Sequence, residues 1–273
     1  MSSLRSILLH LDNTARAADR TRLARSLAEA FDAHVVGQPC TLSALTRFAY
    51  ALQGAGQIVE VLEAMDREGR DRMHAGFAAV AAGSSRMHWS EPLPDAPWSF
   101  ARRALYADLM ILGQRDPKDP ADAELPADFL PSLLIESGRP ALILPSANSV
   151  DTVGQTVLVA WKETRESARA VTAALPWLRR ARAVHLLGYG DAVQDSLDAL
   201  KGFLQTHGIV AMAHAGGPEP DEAGNPLLSA AADLGADLLV MGCYGHSRAR
   251  EWVLGGATRT VLGSMTLPVL MVH

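Results

Sequence analysis

Cysteine is scarce in this chain, with Cys40 and Cys243 the two thiols among 273 residues. They lie far apart and outside any paired spacing, which speaks against a disulfide framework or a zinc site and for a reducing compartment. Long apolar runs are missing as well. No stretch reaches the roughly 18 consecutive apolar residues of a membrane span. The apolar run near the N-terminus is too short for a signal-peptide core, and it meets Asp12 rather than a cleavage site. The expectation is a soluble, cytoplasmic protein with no membrane partner. A basic excess is also lacking: 25 Lys and Arg face 30 Asp and Glu, a formal net charge of -5, which disfavours a nucleic-acid backbone as partner.

Motifs of catalysis are lacking too. The chain holds no GxSxG elbow, no Walker GxxxxGK[ST], and no GxGxxG after the first strand of either half. Adenylating α/β enzymes carry a serine- and glycine-rich or HxGH-type loop after their first strand, where this chain reads HLDNTAR and AWKETRE. The histidines His10, His34, His88, His185 and His214 sit in or beside strand patterns without a helical partner at ligand spacing, and they read as packing or surface residues. No catalytic or metal-ligating residue is assigned.

What is present is apolar material in a regular order. Hydrophobic residues make up 48% and charged residues 20% of the sequence, enough for packed cores, and the length suits two ordinary domains. Strand patterns at 5–11, 35–37, 86–90, 108–113 and 141–145 alternate with helical ones at 14–31, 42–82, 98–106 and 129–137. After a small, polar linker at 146–154 the alternation begins again. Strands at 157–161, 184–188, 209–214, 238–242 and 269–272 interleave with helices at 165–182, 193–207, 226–234 and 256–263.

The two runs are one unit repeated. ADLMILG at 107–113 answers ADLLVMG at 236–242, RPALILP at 139–145 answers LPVLMVH at 267–273, and SILLHLDNT at 6–14 answers TVLVAWKET at 156–164. Alternating strands and helices predict α/β architecture, two tandem domains at 1–146 and 155–273, each a parallel sheet with ligands at the carboxyl ends of its strands. Pairing of the final strands ALILP and PVLMV across the halves would use one sheet edge of each and join them as an intramolecular pseudo-dimer. Further homodimerisation stays open.

The stretch after the strand at 238–242 is the one that points to a ligand. Gly242 and Gly245 open a loop, His246, Arg248 and Arg250 make it basic, and Gly255 and Gly256 lead into a helix. Glycines let backbone approach an anion closely, and the first turn of a helix leaves N–H groups free beside a partial positive charge. The spacing Gly242, two residues, Gly245, nine residues, Gly255 resembles the nucleotide-binding signature of the universal stress protein family, and with the duplicated pattern the likeness covers essentially the whole chain. The resemblance implies two five-stranded, Rossmann-like domains of the adenine nucleotide alpha hydrolase type. It also implies a loop that wraps the phosphates of ATP, a hydroxyl after the third glycine, and an Asp after the first strand.

Two positions depart from that pattern. The hydroxyl position is Gly256, and the residue where the Asp belongs, after Ala160, is Lys162. A lysine there pairs with phosphate on one reading and is a solvated residue beside Glu163 on the other. In the first half Asp12 stands in the family's place, but the loop after Gly113 has no second glycine, carries Asp116, Asp119, Asp122 and Glu124, and meets Pro131-Ser132 where the third glycine belongs. That half is not expected to bind nucleotide, and Asp12 reads as a cap for the following helix. Cys243 reads as a small buried residue, or as a redox-sensitive thiol if exposed.

The expected function is stress-response regulation through ATP, with or without Mg, or a related adenine nucleotide held by Gly242, Gly245, His246, Arg248, Gly255, Gly256, Ala160 and Lys162, without efficient turnover. Two alternatives stand beside it: an interaction module that binds a protein partner and has lost nucleotide, and a slow ATPase.

Overall fold

Both copies of the repeated Ala-Asp-Leu put their aspartate to the same use. In the computed structural model, which describes residues 4–49, 56–93, 96, 98–245 and 256–273, Asp108 Oδ2 accepts from the backbone N–H groups of Arg5 and Ser6, each at 2.9 Å. Asp237 accepts from Gln155 at 3.0 Å and Thr156 at 2.9 Å. Each aspartate therefore satisfies the donors at the entry of its half's first strand, where no ladder partner exists. Two compact units are built on these anchors, Leu4–Ser137 and Gly138–His273.

In the N-terminal unit the order is β1 (Ser6–Leu11), α1 (Ala17–Phe31), β2 (His34–Pro39), α2 (Ala44–Arg47), α3 (Gly56–Ala81), β3 (Met87–Trp89), α4 (Ser99–Ala104), β4 (Leu109–Gly113) and α5 (Phe129–Ser137). Its strands lie as β3-β2-β1-β4 and pair in parallel. The helical stretch predicted at 42–82 is divided into α2 and α3. Ser43 starts α2 with its hydroxyl accepting from the Thr46 N–H at 3.2 Å, and Gly69 lies inside α3 without ending it.

The C-terminal unit runs β5 (Ala141–Leu144), β6 (Thr156–Ala160), α6 (Arg165–Leu178), β7 (Ala183–Gly188), α7 (Val193–Thr206), β8 (Met212–Ala215), α8 (Gly224–Asp233), β9 (Leu238–Gly242), α9 (Gly256–Ser264) and β10 (Val269–Val272). Its strand order is β5-β10-β9-β6-β7-β8. All pairings are parallel except β5 with β10, which run antiparallel with Leu142 opposite Leu270. The final strands of the two sequence repeats thus pair, as their patterns suggest. For that reason β5, assigned by sequence to 1–146, is grouped with the second unit. The Leu, Val and Met runs of β9 and β10 are buried at almost every position, as strands covered on both faces require.

Two local details differ from the sequence pattern. Pro226 is the third residue of α8 rather than its first, because Glu222 turns back to accept from the Gly224 N–H at 2.7 Å and starts the helix earlier. The strand predicted at 209–214 begins at Met212. Gly208, at a φ of 74°, turns the chain out of α7, and the Ile209 N–H is still bonded to the Leu204 carbonyl.

Candidate functional site

Strand β6 has β7 on one side and β9 on the other, so the chain leaves β6 and β9 in opposite directions at their carboxyl ends. A crevice opens at such a point in any doubly wound sheet. Here it is a cavity of about 470 Å³. Of the eight residues named from sequence, Ala160 and Lys162 at the end of β6, Gly242 at the end of β9, Gly245 just after it, and Gly256 at the start of α9 all line it. His246, Arg248 and Gly255 lie outside the described residues.

The need for glycine is visible at two of these positions. A Cβ on Gly242 would lie 2.6 Å from the Ser167 amide nitrogen and 2.7 Å from the Glu166 carbonyl carbon, both in the first turn of α6. On Gly245 it would lie 2.9 Å from Glu166 Oε2. Between them Tyr244 takes the left-handed conformation at a φ of 56°, which carries the chain around the corner. Its ring is buried and its hydroxyl has no hydrogen-bond partner among the described residues. Gly256 differs. Among the described residues the nearest atom to a Cβ there is 3.8 Å away, on Glu222. The hydroxyl missing at that position has a neighbour instead in Thr258, buried one half-turn on and lining the same cavity.

Thr164 caps α6, its hydroxyl accepting from the Ser167 N–H at 3.3 Å. The cap draws Glu166 into the first turn and against the loop after β9, so that a charged residue of a helical pattern ends up only 2% exposed. Burial pushes the Glu166 carboxyl up, but bonds from Arg165 (Nε to Oε1, 2.6 Å), from its own amide and from Thr164 outweigh this and hold it below the usual carboxylate range. Lys162 pairs with Glu219 rather than standing beside Glu163. Both ends of that pair are more than half exposed, where an ion pair contributes little.

Asp221 adds a third carboxylate to the lining, so among the described residues one lysine faces three acids. Trp161, Leu187, Tyr189, Pro220 and Leu227 form the apolar wall. Trp161 is fixed by its indole N–H to Ser196 Oγ at 2.8 Å. Sequence reasoning missed Glu166, Thr258, Trp161 and Tyr189. Cys243 is 1% exposed, and burial followed by the Glu166 charge pushes its thiol up to about 12, which makes it a packing residue.

At the matching strand ends of the N-terminal unit the arrangement is closed by an ion pair. Asp12 is not the cap of α1, whose N-cap is Arg16, with no side-chain capping bond to the first turn. Asp12 Oδ1 accepts from Arg20 at 2.5 Å, the Thr14 hydroxyl at 2.6 Å and the Thr14 N–H at 3.0 Å, while its Oδ2 lies 3.5 Å from His10 Nδ1. Asp12, Arg20 and His10 are all buried. The Arg20 guanidinium occupies the space a side chain on Gly113 would need, with Nη1 2.5 Å from the position of its Cβ. A cavity of about 400 Å³ in this unit is lined by Asn13, Arg47, Asp66 and Glu124 among others, and none of Asp12, Gly113 or Ser132 borders it.

These buried groups set a pH dependence. Burial, countered in part by Asp12, lowers the His10 pKa, so below about 6.5 the unfolded chain binds a proton more readily than the folded one and stability falls with pH. Burial alone would raise Asp12, but Arg20, then His10 and Thr14, bring it down to about 2, and its contribution is lost as pH falls from about 4 towards 2. Urea melts of the full chain are expected to show a falling midpoint between pH 7 and 5 and a second fall below pH 4. A midpoint constant from pH 7 to pH 5 would contradict the first assignment.

Among the described residues no group of three His, Cys, Asp or Glu is placed to hold a metal ion, and no helix is long and apolar enough to cross a membrane. Residues 205–273 match the sequence model of the Universal stress protein family. The full chain is similar in structure to a universal stress protein from Archaeoglobus fulgidus, at 14% identity and a TM-score of 0.73, over 98% of this chain and 97% of that one. It is also similar to a protein of unknown function from Pseudomonas aeruginosa, at 18% identity and a TM-score of 0.62, over 98% and 92%. No curated protein matches the sequence. By sequence the C-terminal region matches the model of that family, and by fold the chain as a whole resembles solved universal stress proteins.

Proposed function

We propose that the C-terminal unit binds ATP or a related adenine nucleotide as a regulatory ligand, without efficient turnover, and that the N-terminal unit does not. The observation that carries this reading is the cavity at the parting of β6 and β9, where Ala160, Gly242, Gly245 and the first turn of α9 meet. Its size falls within the roughly 300–1,000 Å³ of small-molecule sites. The apolar wall of Trp161, Leu187 and Leu227 suits a base, and the first turn of α9, which lines the cavity, suits an anion. Inefficient turnover is proposed on the sequence, which carries neither a Walker loop nor an HxGH-type loop after the first strand of this half.

The test is thermal denaturation with millimolar Mg-ATP. A ligand present at about a hundred times its dissociation constant stabilises the folded state by about 2.7 kcal/mol, a shift of several degrees. The shift is expected to vanish in Gly245→Val, whose side chain would enter the space of the Glu166 carboxylate. No shift in the unaltered protein, together with no nucleotide released when it is denatured, would favour an interaction module. Phosphate release that Gly245→Val abolishes would favour slow hydrolysis.

A further inference from the structure

His34, His88, His185 and His214 line neither cavity. In each unit a histidine of the outermost strand meets one of the strand beside it. His34 Nδ1 lies 3.3 Å from His88 Nε2 across β2 and β3, and His185 Nδ1 lies 2.9 Å from His214 Nε2 across β7 and β8. Both pairs span the same diagonal, since His88 is opposite Val36 and His185 is opposite Met212. The first pair is exposed, whereas His185 is buried. The rings of His185 and His214 have centroids 5.2 Å apart and planes at 28°, so nitrogen meets nitrogen edge to edge with one proton between them. Among the described residues no third metal ligand joins either pair.

His185 faces away from α7. A Cβ on Gly188, three residues on and so on the other face of the strand, would meet Val193 and Leu197 of α7. On the face of His185, Leu187 lines the cavity. The ionisable groups of the elements bordering this face are Lys162, Tyr189, Glu219, Asp221, Glu222 and Asp233, and the His185 pKa is lowered by burial first and by His214 second. Strand β8 is the last of its sheet, bonded on one side, with Met212 and Ala215 exposed at its ends. The chain then runs through Gly216, whose amide donates to the Gly188 carbonyl at 2.8 Å, into the loop that brings Glu219, Pro220 and Asp221 to the cavity.

We propose that the His185–His214 pair is an acid-sensitive latch, which holds β8 and the cavity wall that follows it at neutral pH and loosens both on acidification. Neutral, the two rings supply one donor and one acceptor. A first added proton leaves the bond in place, because a charged imidazole still donates to a neutral one. A second makes donors of both facing nitrogens, and the bond is lost. Once β8 leaves β7 both rings are free to charge in water. Below about 6.5 the opened strand therefore binds protons more readily than the closed one, and opening is favoured as pH falls. The latch acts on the wall of the cavity, whatever ligand the cavity takes.

The experiment is amide hydrogen exchange of the full, unliganded chain at pH 7 and pH 5, corrected for intrinsic exchange rates and read residue by residue. Opening at residues 212–215 and at Gly216 is expected to rise about tenfold, the effect of one extra proton bound over about one unit of pH. In His185→Gln, whose amide offers both a donor and an acceptor and so bonds His214 in either charge state, the rise is expected to disappear. Opening of β8 that is the same at both pH values overturns the proposal, and this needs no variant. A rise that persists in His185→Gln overturns it as well. A rise confined to β8, with Gly216 unmoved, overturns the link to the cavity wall.

Discussion

Replacing Asp12 with alanine is expected to destabilise the N-terminal unit by about 3–5 kcal/mol, measured by urea denaturation at pH 7. The effect comes less from the bond lost than from the charge left behind. Arg20 is 2% exposed, its Nε already lacks a partner among the described residues, and Asp12 Oδ1 at 2.5 Å is its carboxylate contact. Without Asp12 the guanidinium stays in a dry site against Gly113, and the Thr14 amide loses its acceptor too. Removing both charges together, in Asp12→Ala with Arg20→Met, is expected to recover a large part of the loss, since a pair of apolar groups needs no compensation. Equal loss in the single and double variants would mean that the pair matters for packing rather than for charge.

This pair also shows where sequence reading stops. The alternation of strands and helices, the repeated Ala-Asp-Leu and the pairing of β5 with β10 are legible, because each is a local pattern or follows from one, whereas the Thr164 cap and the antiparallel sense of that pairing come from the structure. Asp12 reads in the sequence as a polar residue that caps the following helix, since nothing in HLDNTARAADR says that the arginine eight positions on turns inward. Arg20 and Glu166 both look like ordinary charges on amphipathic helices. They are drawn into the interior because Gly113 and Gly242 have no side chain, and the room left at the end of a central strand is taken by a neighbour from the helix that packs over it. The usable signal is therefore paired: a glycine ending a buried strand, together with a charge in the first turns of the helix after the first strand. The sign of that charge then separates the units. An arginine closes the N-terminal one on its own aspartate, and a glutamate leaves the C-terminal one open, with an acidic lining among the described residues.

The same reasoning makes Gly242 a sensitive position of the C-terminal unit. Gly242→Ala puts one carbon 2.6 Å from a backbone nitrogen and 2.7 Å from a backbone carbonyl carbon, and no rotamer change relieves a contact with main chain. Either α6 moves away at its capped end or the end of β9 shifts, and overpacking of this kind costs about 1–3 kcal/mol. Both responses displace groups that line the cavity, since Thr164, Glu166 and Ser167 belong to the end of α6 that must move. Affinity for adenine ligands is therefore expected to fall more than tenfold, well beyond what the loss of stability alone would produce. Gly256→Ala is the control. It adds the same carbon to the same cavity, but 3.8 Å from its nearest neighbour among the described residues, and is expected to change stability by less than about 0.5 kcal/mol. Equal effects from the two substitutions, in melts and titrations run side by side, would show that the close packing of α6 on β9 does not shape the site.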